Sequence, residues 1–103
     1  MNIRQGDVLL FGVKRKTKKP LYALGYKDKG DNIIIEGELT GHFHKIESNG
    51  KLYEKDGKII LEAQEGCVLI HPEHDKINIP QGTYEIEIQE EYDEVKHSTK
   101  VKD

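Results

Sequence analysis

The sequence predicts an all-β fold: a small single-domain barrel or sandwich of short antiparallel strands, with little or no helix. Three observations carry this. Apolar residues alternate with polar ones, and no stretch repeats them at the three- and four-residue spacing of a helix face. The strand-like runs are short and are punctuated throughout by Gly, Pro, Asn and Asp. Asp56-Gly57 separates two such runs, and Asp-Gly is favoured in two-residue hairpin turns because both central residues take positive φ.

Taken in order, Asp7–Val13 holds Val8, Leu9, Leu10 and Phe11 and reads as the first strand. A basic loop ends at Pro20, and Leu21–Tyr26 reads as a second strand, closed by the hydrophilic turn Lys27-Asp28-Lys29-Gly30-Asp31-Asn32. Ile33-Ile34-Ile35 is β-branched and short, which favours strand. Gly37 and Gly41 bracket Glu38-Leu39-Thr40, and either glycine suits a bulge or a tight turn. From His42 the chain alternates, with His42, His44 and Ile46 on one face and Phe43, Lys45 and Glu47 on the other. Ser48-Asn49-Gly50 reads as a turn, Lys51–Glu62 as a hairpin about Asp56-Gly57, and Glu65-Gly66 as a further turn. Cys67, Leu69 and His71 share a face of the next strand, which Pro72 stops because it has no N–H to donate. Ile77–Ile79 is a brief strand before Pro80-Gln81-Gly82. Thr83–Tyr92 alternates well, with Tyr84, Ile86 and Ile88 inward. Residues 1–93 are expected to form the domain, and the polar stretch 94–103 a frayed tail.

One domain accounts for the 103 residues, and a chain of this size buries only about two-thirds of the surface its unfolded form exposes. With 35% hydrophobic and 34% charged residues, the core is thin and the exterior heavily solvated, without room for a separate cofactor domain. The net charge of −3 comes from interspersed signs, which argues against extended nucleic acid or anionic lipid as partners. Lys14-Arg15-Lys16-Thr17-Lys18-Lys19 is the exception, and such a run is more often a solvated loop than a phosphate-contacting patch. Cys67 is the single cysteine, so no intrachain disulfide forms and a reducing compartment is expected. No apolar run approaches a membrane span and no cleavable leader is evident, so a soluble, cytoplasmic protein is expected.

Four of the five histidines fall in two clusters, His42-Phe43-His44 and His71-Pro72-Glu73-His74. On a strand, His-x-His sends both rings to one side with Cα atoms roughly 7 Å apart, which one metal ion can bridge. Neutral imidazole is the commonest protein metal ligand. The second cluster converges only if the turn at Pro72 is tight. Taken singly, each histidine is compatible with a polar side chain satisfied by backbone near a turn; paired, they point to a site. His42, His44, His71 and His74 are therefore the expected metal ligands, for zinc, iron or manganese, with Glu47 and Glu85 as candidate catalytic carboxylates. Cys67 reads as a small buried hydrophobe rather than a ligand or nucleophile, and no phosphate-cradling glycine pattern precedes a helix.

Gln5-Gly6-Asp7-Val8-Leu9-Leu10, Gly37–His44, His71-Pro72-Glu73-His74, Pro80–Glu85 and Glu91-Tyr92-Asp93 together resemble a family of short uncharacterised prokaryotic and phage proteins. That resemblance spans Gln5 to Asp93 and implies relatives without implying an activity. The chain is also similar to cupins. Gly37, His42, His44 and Glu47 resemble the first cupin motif, with compressed spacing, and Pro80-x-Gly82 resembles the second. Glu85 stands where cupins place a third histidine, a role that this resemblance would leave to His71 or His74.

The expected function is a small metal-binding β-barrel protein with a paired-histidine site, with a metal-dependent enzyme acting on a small molecule or nucleotide as its catalytic form. One alternative is a metal-free site using histidines as general acid and base on a phosphorylated ligand, aided by Lys14–Lys19. Another is a non-catalytic binding or assembly module of a phage or defence system, in which an exposed strand edge such as the Leu52–Leu61 hairpin joins a partner or a second copy.

Overall fold

A computed structural model of the protein describes residues 2–36, 43–93 and 98–101. Its frame is one antiparallel network. Asn2–Gln5 (β1) and Val8–Val13 (β2) form a hairpin in which Gln5 faces Val8. Gly6 leads its two-residue turn at φ +57°, the sign a type II′ turn needs at that position. The later strands are Lys27–Asp28 (β3), Ile33–Glu36 (β4), Phe43–Lys55 (β5), Lys58–Ile70 (β6), Ile77–Ile79 (β7), Gly82–Ile88 (β8), Glu90–Asp93 (β9) and Ser98–Val101 (β10). The bonded order is β1-β2-β8-β6-β5-β3, with β4 added to β5 and β7 to β6, while β9 and β10 pair separately.

The chain is all-β, as its alternation predicts, but the sheet does not close into a barrel. Among the described residues β1 and β3 remain its edges. Bending takes the place of closure. β5 and β6 are joined at Asp56-Gly57, where φ is +49° and +81°, the doubly positive pattern of a type I′ turn. The predicted turns at Ser48-Asn49-Gly50 and Glu65-Gly66 are instead irregularities inside these two 13-residue strands. Register shifts at Ser48, and Val68 and Ala63 pair with Ser48 and Gly50, so Asn49 stands opposite a longer run of β6. Asn49 and Gly66 both have positive φ, and Ser48 Oγ donates to Gly66 O at 3.1 Å. Such paired bulges bend a ribbon and increase its twist. The distal arm of the hairpin pairs with β8 through Ile59–Ala63. The proximal arm carries β4 on one side and β7 on the other. One hairpin thus serves two parts of a sandwich-like sheet. Both expected turns are therefore bulges, with the ladder continuing on either side of them.

One further expectation changes. Leu21–Leu24 is a 3₁₀ turn rather than a strand. Pro20 sets φ −66° ahead of it, Gly25 closes it at φ +93°, and Tyr26 N–H reaches back to Leu21 O at 3.1 Å. A short apolar run gives no period by which to separate the two. Beyond residue 97, Ser98–Val101 pairs with β9, Thr99 facing Tyr92.

Val8, Leu10, Ile46, Leu61, Cys67 and Leu69 are wholly buried, joined by Leu52, Ile79, Tyr84 and Ile86. The predicted inward residues Tyr84 and Ile86 are in the core, while Ile88 is half-buried at the end of the strand. The basic run is pinned by Arg15, which pairs with Glu62 at 2.8 Å and also donates to Lys19 O. Lys14, Lys16, Lys18 and Lys19 face solvent, as in a solvated loop. Among the described residues no helix is long and apolar enough to cross a membrane.

Candidate functional site

Three histidines lie together beside the tip of the first hairpin. His44 lies on the proximal arm of β5, where alternation with exposed Lys45 and Glu47 turns it inward beside Ile46. His71 follows the last residue of β6, and His74 lies in the segment leading to β7. The His44 and His71 ring centroids are 4.3 Å apart, His71 and His74 4.4 Å, and His44 and His74 6.1 Å. Two imidazoles on one tetrahedral zinc, with Zn–N at about 2.0–2.1 Å, have centroids about 5 Å apart. His71 thus lies close to each of the other rings, while His44 and His74 are further apart than such a pair. His44 and His71 are buried, including Nε2 of each, whereas His74 is exposed.

Hydrogen bonds fix the orientation of two rings. Gln5, only 3% exposed, directs its amide nitrogen to Leu69 O at 3.2 Å and Asp75 O at 2.9 Å. With both N–H groups so used, Gln5 Oε1 faces His44 Nδ1 at 2.9 Å as an acceptor. Neutral His44 therefore carries its proton on Nδ1 and has its lone pair on Nε2. His71 is the opposite: its Nδ1 accepts Glu73 N–H at 3.0 Å, which puts the proton of the neutral ring on Nε2. Among the described residues, no group of three or more His, Cys, Asp or Glu is arranged to hold a metal ion. The tautomer of His71 accords with this, since a protonated nitrogen offers no lone pair.

The other expected site residues fall elsewhere. His42 lies outside the described residues. Glu47 is exposed and alternates away from His44 and Ile46; Glu85 is exposed on the opposite face of β8 from Tyr84 and Ile86. Neither carboxylate is brought to the histidines, because strand alternation commits each to the solvent face. Cys67 is buried against Gly50, and burial pushes its thiol up to about 11, so it remains protonated near neutrality.

Gln5 and Gly6 carry no titratable group, so no chemical signal in the sequence marks them as part of the cluster. A Cβ on Gly6 would meet His74 Nε2 at 2.7 Å and His44 Cε1 at 3.3 Å. Gly6→Ala is expected to cost about 1–2 kcal/mol for the left-handed backbone and to push the exposed His74 ring outward. Urea unfolding checks the first effect, and the His74 ring proton shifts check the second.

The fold and cluster together define a small antiparallel β domain with three histidine rings gathered at the open end of its long hairpin. A family model described as a domain of unknown function, DUF8820, matches residues 4–89, and the chain belongs to that family. The match includes Gln5, Gly6, His44, His71 and His74. No curated protein and no solved structure matches the chain.

Proposed function

We propose that this is a metal-binding protein in which His44 Nε2 and His74 ligate a divalent transition ion such as zinc, iron or manganese. His42, two residues before His44, is a third ligand by sequence alternation. The observation that carries the reading is the Gln5 relay. Two main-chain carbonyls orient a buried amide, and that amide holds His44 in the tautomer a metal requires at Nε2. Partners of this kind orient metal-bound histidines and raise their basicity. Three histidine ligands and an open position would form a site able to polarise a bound water or orient a small ligand.

Elemental analysis of protein purified without a histidine tag tests this. Near-stoichiometric metal that disappears in His44→Ala/His74→Ala is the expected result. Metal-free protein that also takes up none on dialysis against zinc, iron(II) or manganese salts would overturn the reading, leaving the oppositely protonated His44 and His71 to an acid–base role.

A further inference from the structure

We propose that the basic loop between β2 and the 3₁₀ turn binds single-stranded nucleic acid, with Lys14, Lys16, Lys18 and Lys19 on its phosphates and Tyr22 stacked on a base. The histidine cluster takes no part in this. The first support is the distribution of charge. Lys14–Lys19 holds five of the 16 basic residues and no acidic one, which leaves 11 basic against 19 acidic residues elsewhere, a net −8. A nucleic acid spread over the whole surface is disfavoured by that balance, but a short strand meets a local positive field at the loop and is repelled from the rest.

The second support is how the loop is held. Of its five cations only Arg15 turns to the sheet, where it pairs with Glu62 on the distal arm of β6 at 2.8 Å and donates to Lys19 O. Thr17 Oγ accepts Lys19 N–H at 3.2 Å, which closes the loop from within. The four lysines are left exposed, and among the described residues none of them pairs with a carboxylate. A loop tied in this way has less freedom to lose when its lysines meet a ligand.

The third support is Tyr22. Leu21 is buried, Ala23 N–H bonds to Pro20 O at 3.0 Å and Gly25 N–H to Tyr22 O at 3.1 Å, so the backbone of the turn is fixed. The Tyr22 ring is nevertheless 77% exposed, the one large hydrophobic side chain open to solvent among the described residues. Cations along a backbone with an aromatic ring beside them are the means by which single strands are held without sequence preference. Other polyanions fit less well. An anionic bilayer calls for an apolar face wider than one ring, and a protein interface for an apolar core poor in lysine. A duplex is read by a helix or a two-stranded ribbon set in its groove, and this loop is neither.

Fluorescence anisotropy with a labelled oligothymidylate of about 12 nucleotides, within the usual range of site sizes, tests this. Wild-type affinity should fall as salt rises, with a log–log slope of about −3 for four phosphate contacts. Lys16→Ala/Lys18→Ala should reduce that slope to about half. Tyr22→Ala should weaken binding by about tenfold and leave the slope unchanged, while Tyr22→Phe, which keeps a stacking ring, should bind as wild type does. The substituted side chains are exposed, and circular dichroism confirms that each variant is folded. Absence of binding at low salt, or full affinity in the double lysine variant, would overturn the proposal. Full affinity in Tyr22→Ala would overturn it too, and would make the loop a bare patch of charge. Binding to phosphatidylserine vesicles but not to the oligonucleotide would assign the surface to a membrane instead.

Discussion

Gln5→Ala is expected to destabilise the protein by about 2–4 kcal/mol, since it removes a buried group bonded to three others and leaves those partners in place. The size follows from geometry. Gln5 joins the end of β1 to Leu69 of β6, to Asp75 before β7 and to His44 of β5, so one side chain ties four segments together. Urea denaturation reads the stability. The same variant should weaken metal binding by about 10–100-fold, because His44 loses the acceptor that sets its tautomer.

Gln5→Glu separates the two effects. A carboxylate still accepts from His44 Nδ1, so metal affinity should be retained. It has no N–H for Leu69 O and Asp75 O and sets oxygen against oxygen, so stability should fall nearly as far as in the alanine variant. Equal loss of metal from both variants would show that Gln5 supports the fold without setting the tautomer of His44.

The residues that were legible in the sequence differ in kind from those that were not. The inward turn of His44 follows from alternation with Ile46, and the type I′ turn follows from Asp56-Gly57; both are local signals. The approach of His44 to His71 depends on register: Lys45 faces Ile70 only because the ladder shifts at Ser48–Gly50 opposite Glu65–Gly66, which local signals describe as two turns. Gly and Asn at positive φ look the same in a bulge as at the end of a strand. Only the pairing of Lys45–Ser48 with Val68–Ile70 on the far side distinguishes them. Gln5 was opaque for another reason. A glutamine beside Arg4, Gly6 and Asp7 reads as surface, and its burial arises only when Leu69 and Asp75, distant in sequence, supply carbonyls. The carboxylates show the opposite failure. Glu47 and Glu85 have suitable chemistry, but the alternation that turns His44 inward also turns Glu47 out.

Gly50→Ala, at the bend itself, is expected to cost about 1–3 kcal/mol through overpacking. The new Cβ would lie 2.8 Å from Cys67 Sγ, 2.9 Å from Ile46 Cγ2 and 3.1 Å from Leu61 Cδ1. These neighbours are wholly buried, so none can swing into solvent as the His74 ring can when Gly6 is replaced. The same added methyl group should therefore disturb the site at Gly6 and the stability at Gly50. Cys67→Ala removes the nearest obstacle and by itself leaves only a small cavity, costing about 1 kcal/mol. In the double variant the methyl occupies part of that cavity, so the two losses should fall short of additivity by about 1 kcal/mol. Ile46 still crowds the position, which keeps the rescue partial. Strict additivity in denaturant melts would mean that the ribbon opens at Gly50 instead of compressing against Cys67. The bend would then be adjustable.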